Sequence, residues 1–230
     1  MTVPIVALDF PTEARAMEIV EQLGDSCNFY KVGSELFTAA GPGVIKRLRE
    51  RDCEVFIDLK LHDIPNTVAS AMRVLAGLDV RLATVHAAGG RAMLEAAVKA
   101  AGRKCGVFAV TVLTSLDATG IAEITGVKTS TPADTVMRLA ALASSCGTRG
   151  VVCSGQEAAM IRGQFGATFE MIVPGIRLQG DDAGDQSRVV TPEAATAAGA
   201  DYIVVGRSVT AASDPLAAMQ SIREGLTATR

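Results

Sequence analysis

The chain has 230 residues, 49% of them hydrophobic, and a formal net charge of −3. That is enough apolar material for one well-buried core, and the charge gives no electrostatic case for binding nucleic acid or a bulk membrane surface. No apolar run approaches the roughly 20 residues needed to span a bilayer, and the opening "MTVPIVALDF" has neither the length nor the basic start of a signal peptide.

Short apolar, β-branched runs recur along the chain: "VPIVALD" (3–9), "NFYKVG" (28–33), "CEVFIDLK" (53–60), "RLATVHA" (81–87), "CGVFAVTVLT" (105–114), "GVVCS" (150–154), "FEMIVPG" (169–175) and "DYIVVG" (201–206). They show little polar alternation, as strands buried on both faces of a parallel sheet do. Between most of them lie Ala-, Leu- and Glu-rich segments with helical spacing. "PTEARAMEIVEQLG" carries Thr12 near its start, apolar Ala16, Ile19, Val20 and Leu23, and Gly24 as a stop. "TPADTVMRLAALASSCG" and "TPEAATAAG" each set Thr before Pro at the first turn and Gly after the end. This alternation predicts an α/β protein, a single (β/α)8 TIM barrel over residues 1–230; an open doubly wound sheet is the alternative.

The connections 115–131 and 175–191 are longer than strand-to-helix turns need, as lids and binding loops often are. The five cysteines, Cys27, Cys53, Cys105, Cys146 and Cys153, form no C-x-x-C pair. They predict buried thiols in a reducing cytoplasm, with neither structural zinc nor a disulfide framework.

Charged residues fall at the ends of the predicted strands, where a barrel of this kind builds its site. Asp9 ends the first run, Lys31 lies near the end of the second, Asp58 and Lys60 end the third, and Asp63 follows in the loop. Asp58 and Lys60 are two apart, so strand parity puts them on one face. A plainer reading of that pair is an ion pair closing the barrel end. His62 has the opposite parity and reads as solvent-facing; His86 reads as support for the mouth. Two histidines and no G-x-S-x-G give a serine-hydrolase triad little support.

A second cluster is "DYIVVGRSVT". Gly206 at a strand end, then Arg207 and Ser208 opening a helix, make a phosphate site, with Arg207 as a bidentate clamp. An ordinary helix start is the plainer reading. Arg177 is a second phosphate candidate. Walker A and G-x-G-x-x-G patterns are both missing. The residues alone thus suggest a barrel enzyme acting on a small phosphorylated substrate through a Lys/Asp array.

Together, "DLKLHDIPNT" (58–67), "ALD" (7–9), "YKVG" (30–33), "VLTS" (112–115), "PGIR" (174–177), "GDQ" (184–186) and "VGRSVT" (205–210) resemble the bacterial type of the orotidine 5'-phosphate decarboxylase family. The match runs in order from the first strand to the last. The resemblance implies a homodimeric (β/α)8 barrel that converts orotidine 5'-phosphate to uridine 5'-phosphate (UMP) and CO2, the last step of de novo UMP synthesis, with no metal or organic cofactor. It implies Lys60 as general acid in a network with Lys31, Asp58 and Asp63. Asp63 and Thr67 would reach the partner subunit's site. Asp9 and Lys31 would hold ribose hydroxyls, and Thr114 would lie near the pyrimidine. Arg177, Gln186, Gly206 and Arg207 would take the phosphate side, with Gln179 competing for the Gln186 role, and Pro174 would also bind substrate.

Two rivals remain at this point. Hexulose-phosphate synthase and keto-gulonate-phosphate decarboxylase share a similar Asp-x-Lys-x-x-Asp strand end but use Mg2+ with an acidic ligand on the second strand, where this chain has Lys31. A non-catalytic phosphate sensor would need the phosphate cluster but not the Lys/Asp array.

Overall fold

The structure, a computed structural model, describes residues 1–126, 131–178 and 189–227. The strands are β1 (Val3–Ala7), β2 (Phe29–Gly33), β3 (Glu54–Leu61), β4 (Leu82–His86), β5 (Gly106–Val110), β6 (Gly150–Val152), β7 (Glu170–Val173) and β8 (Tyr202–Val205). They form a closed barrel in chain order, and β1 pairs parallel with β8 from Val3↔Tyr202 to Val6↔Val205. That closure excludes the open sheet. All eight predicted runs are strands, although the fifth stops at Val110 rather than 114. Its neighbour β6 ends at Val152, and Thr111 spends both its N–H and its hydroxyl on the Val152 carbonyl.

Helices close the outer layer, and their ends follow the chemistry of the sequence. Thr12 caps the helix Glu13–Leu23, which buries Ala16, Met17, Ile19, Val20 and Leu23 and stops at Gly24 with φ 45°. Thr131 and Asp134 form a reciprocal capping box on Pro132–Ser145, and Thr191 caps Pro192–Ala197. The 115–131 connection carries a helix, Ala118–Thr125, capped by Asp117; residues 127–130 of it lie outside the described residues. The 175–191 connection is tied at its base by a parallel bridge between Ile176 and Val190, and the middle of it lies outside the described residues.

Strand parity sorts the side chains into two cores. Residues such as Val6, Tyr30, Ile57, Ala83, Ala109, Val151, Met171 and Ile203 face the helices. Ile5, Ala7, Phe29, Phe56, Leu82, Phe108, Ile172, Tyr202 and Val204 fill the barrel axis. Phe29 and Phe108 both meet Tyr202 edge-on, with ring centroids 6.1 and 6.0 Å apart. Each buried side chain of this size contributes about 1.5–3 kcal/mol. The N-terminal rim is closed beneath them by Arg149, which grips Glu170 with two hydrogen bonds of 2.7 and 2.8 Å.

Candidate active site

Two residues further along the same inward columns, the chemistry changes. Phe29 is followed by Lys31, Phe56 by Asp58, Leu82 by Thr84 and then His86, and Ala7 by Asp9. Ala7, Asp9, Lys31, Phe56 and Asp58, with the C-terminal loops, line a cavity of about 560 Å3, within the range of small-molecule sites.

Opposite charges alternate along it. Lys31 Nζ lies 2.7 Å from Asp9 Oδ1 and 3.9 Å from Asp58 Oδ2, and Lys60 Nζ lies 2.8 Å from the same Asp58 oxygen. The side chains of Lys31 and Asp58 are only 9% and 14% exposed, whereas that of Lys60 is 37% exposed and reaches the cavity. Gly33 makes room for this arrangement: a Cβ there would stand 2.8 Å from Asp9 Oδ1 and 2.9 Å from Lys31 Nζ.

Asp58 and Lys60 do meet, but simple strand parity is not why. In the β3–β4 ladder Ile57 pairs with Ala83 and Leu61 with Val85, so residues 58–60 stand opposite Thr84 alone. The bulge turns Lys60 into the left-handed region, φ 50°, an uncommon conformation for a residue with a side chain. It redirects the lysine so that the ammonium returns to Asp58.

Of the other sequence candidates, Thr114, Pro174, Arg177, Gly206 and Arg207 also line the cavity. Arg177 is buried, and one of its guanidinium N–H groups donates to the Ile176 carbonyl at 2.9 Å. Gly206 precedes a single helical turn, Arg207–Thr210, shorter than the helix start expected there. Ser208 is buried and donates to the Ile176 carbonyl at 3.3 Å, so it ties this turn to the loop after β7. Asp63 and Thr67 are exposed on the loop and helix after β3 and do not line the cavity. Asp63 Oδ1 accepts from the Ile64 N–H at 2.6 Å. Gln179 and Gln186 lie outside the described residues.

His62 is exposed as expected, and its ring packs on His86 with centroids 5.3 Å apart. Burial, then the neighbouring His62 and Lys60, holds the His86 imidazolium pKa below its ordinary value; Asp58 opposes them. The cysteines are all free and buried, and burial pushes the Cys105 thiol up to about 12. The apolar wall of the cavity, including Phe56, Val110, Val112, Ile172 and Val204, was not anticipated as part of the site. Nor was Thr84, which does not line the cavity but bonds Asp58 and the Lys60 backbone.

A parallel (β/α)8 barrel with an alternating Lys/Asp chain at its C-terminal mouth and two arginines after β7 and β8 has the layout of a barrel enzyme for small anionic substrates. The chain belongs to the orotidine 5'-phosphate decarboxylase / HUMPS family, whose model matches residues 2–222. It is 52% identical over 230 residues to the orotidine 5'-phosphate decarboxylase of Laribacter hongkongensis, covering 97% of this chain and 93% of that protein. The Halorhodospira halophila protein of the same name is also 52% identical, over 221 residues covering 95% and 93%. A crystal structure of orotidine 5'-phosphate decarboxylase from Lactobacillus acidophilus superposes with a TM-score of 0.88 at 37% identity, covering 99% of this chain and all of that one. The Pyrococcus horikoshii enzyme gives 0.78 at 27% identity, covering 97% and 99%.

Proposed function

We propose that this chain decarboxylates orotidine 5'-phosphate to UMP and CO2, as one catalytic domain acting without metal or organic cofactor. The observation that carries this reading is the continuous Asp9–Lys31–Asp58–Lys60 chain at the mouth of the barrel. Loss of CO2 from C6 of the pyrimidine leaves an electron pair with no adjacent carbonyl to accept it. A cation held at C6 lowers the energy of that charge and then donates the proton that replaces CO2. Lys60 fits both tasks: its ammonium faces the cavity and is directed by Asp58. The lysine is left as an amine and regains its proton from solvent. Each tenfold in rate requires about 1.4 kcal/mol of preferential transition-state stabilisation.

Asp9 and Lys31 are suited to ribose hydroxyls, and Thr114 to an edge of the pyrimidine. Pro174, Arg177, Gly206 and Arg207 are suited to the phosphate side, with Gln186 or Gln179 joining from the loop. Binding energy from the distant phosphate would be expressed at the reacting centre.

The metal-dependent sugar-phosphate reading fits less well. Lys31 Nζ already stands between the Asp9 and Asp58 carboxylates, and a divalent cation there would meet an ammonium. A homodimer is supported by the exposed run after β3, where Ile64 is 67% accessible beside Asp63 and Thr67. Asp63 would then enter the partner's cavity and meet Lys60. We place the reaction in the cytoplasm; the free, buried thiols suit a reducing compartment, and among the described residues no helix is long and apolar enough to cross a membrane.

The test is to mix the purified protein with orotidine 5'-phosphate and EDTA and follow the orotate absorbance. Loss of the chromophore with UMP formed is expected. A folded sample that leaves it unchanged, yet acts on a keto-sugar phosphate when Mg2+ is added, would overturn the reading. Subunit sharing is tested by mixing inactive Lys60→Ala and Asp63→Ala chains: heterodimers should regain activity, and proven heterodimers without it would contradict sharing.

A further inference from the structure

We infer that Thr84 is a positioning residue for this reaction, with one hydroxyl fixing both the Asp58 carboxylate and the Lys60 backbone; the inference rests on the function proposed above. Thr84 lies on β4 and is 1% exposed. Its Oγ1 is 2.9 Å from Asp58 Oδ1 and 2.9 Å from the Lys60 backbone nitrogen.

Hydrogen-bond chemistry sets the direction of both contacts. A backbone N–H only donates, so it takes a lone pair of the hydroxyl. An ionised carboxylate only accepts, so the single hydroxyl proton goes to Asp58. The two bonds therefore run in series, from the Lys60 N–H through Thr84 to Asp58, and each polarises the other.

The bulge gives this hydroxyl a task that no ladder bond performs. Residues 58–60 face Thr84 alone, and Lys60 adopts φ 50°. The Thr84 hydroxyl supplies the acceptor for the Lys60 N–H where the β3–β4 register breaks. It also occupies Oδ1 of Asp58, leaving Oδ2 to the Lys60 ammonium at 2.8 Å and the Lys31 ammonium at 3.9 Å. Without the hydroxyl, the carboxylate is free to rotate and the left-handed turn loses its side-chain anchor. The ammonium at the reacting centre would then sample more directions, and misplacement on the ångström scale is costly in rate.

Thr84→Val removes the hydroxyl and keeps the branched shape. Expected is a kcat roughly 10- to 100-fold lower, with UMP affinity within about threefold of wild type, because the phosphate side is untouched. Thr84→Ser retains the hydroxyl and should recover kcat to within about fivefold of wild type. Thermal unfolding of each variant reports folding, and Thr84→Ala replaces the valine variant if that chain does not fold. A folded hydroxyl-free variant with kcat within about twofold of wild type would overturn the inference. So would equal losses in the serine and hydroxyl-free variants, which would mark a packing role. Wild-type protein that does not turn over orotidine 5'-phosphate overturns the functional reading itself, whereas active wild type with unaffected hydroxyl-free variants overturns the role of Thr84 alone.

Discussion

At Phe29, Phe56 and Phe108 the strands send aromatic rings to the barrel axis; two positions further along, β2 and β3 send Lys31 and Asp58 to the same axis. The two levels stand on the same strands, and their energetics are opposite. The lower level gains from burial and asks only for volume and shape. The upper level places charges where solvent is scarce and depends on each charge having a partner. Aromatic packing closes the axis below, so the cavity opens in one direction and the charged chain sits at its base. A floor that excludes water and a mouth that holds charge are two halves of one device, and changes to them should be separable by experiment.

Lys60 aside, the largest separation is expected at Lys31. Lys31→Ala leaves Asp9 and Asp58 facing each other without the cation between them. The kcat/KM for orotidine 5'-phosphate should fall roughly 10^3-fold, measured by the orotate absorbance. A loss under tenfold would place Lys31 outside the working network. Phe108→Ala tests the floor in the opposite sense. Phe108 is fully buried, and its truncation should cost about 3–5 kcal/mol of stability, read by urea unfolding, with the surviving folded fraction still turning over. A destabilisation under about 1 kcal/mol would show that the aromatic layer is not tightly packed.

Arg207→Ala reads the far wall of the mouth. Loss of a charge-assisted contact to phosphate should lower kcat/KM roughly 10- to 100-fold, mostly through KM; an unchanged kcat/KM would remove Arg207 from the site. The smallest effect is expected at His86, on the rim. Its folded-state pKa lies below the ordinary value of 6.5, so between the two values the unfolded chain binds more protons than the folded one. His86 therefore contributes stability that is fully present above about 6.5 and is lost as pH falls through the folded value. His86→Asn should flatten the acid side of the Tm-against-pH curve, and an unchanged slope would contradict the burial argument.

The division between the two levels was only partly legible in the sequence. The apolar runs and the Thr, Pro and Gly punctuation of the helices were enough to place all eight strands and the caps at Thr12, Thr131 and Thr191. These are local signals, set by backbone sterics and by hydrogen bonds within a few residues. Lys31, Asp58 and Lys60 were visible because charge at the end of an apolar strand is costly without a purpose. The bulge at residues 58–60 was not visible, because it arises from the pairing of β3 with β4 and leaves no glycine to mark it. Thr84 was missed for the same reason: a threonine is at home in any strand, and only the register across the sheet shows what it faces. The apolar wall looked like ordinary core because, except for its open side, it is core. Asp63 and Thr67 were named through the family resemblance, because residues proposed to serve a second subunit show in their own chain only as exposed residues near the mouth.

Lys60→Ala tests the central claim most directly, with turnover of orotidine 5'-phosphate and affinity for UMP measured on the same preparation. Lys60 is one end of the charged chain and the one group aimed at the reacting carbon in the proposed mechanism. The account predicts turnover lower by at least roughly 10^4-fold, with UMP affinity retained within about tenfold. Turnover within about tenfold of wild type would show that the proton and the stabilising charge come from elsewhere, and would contradict the account.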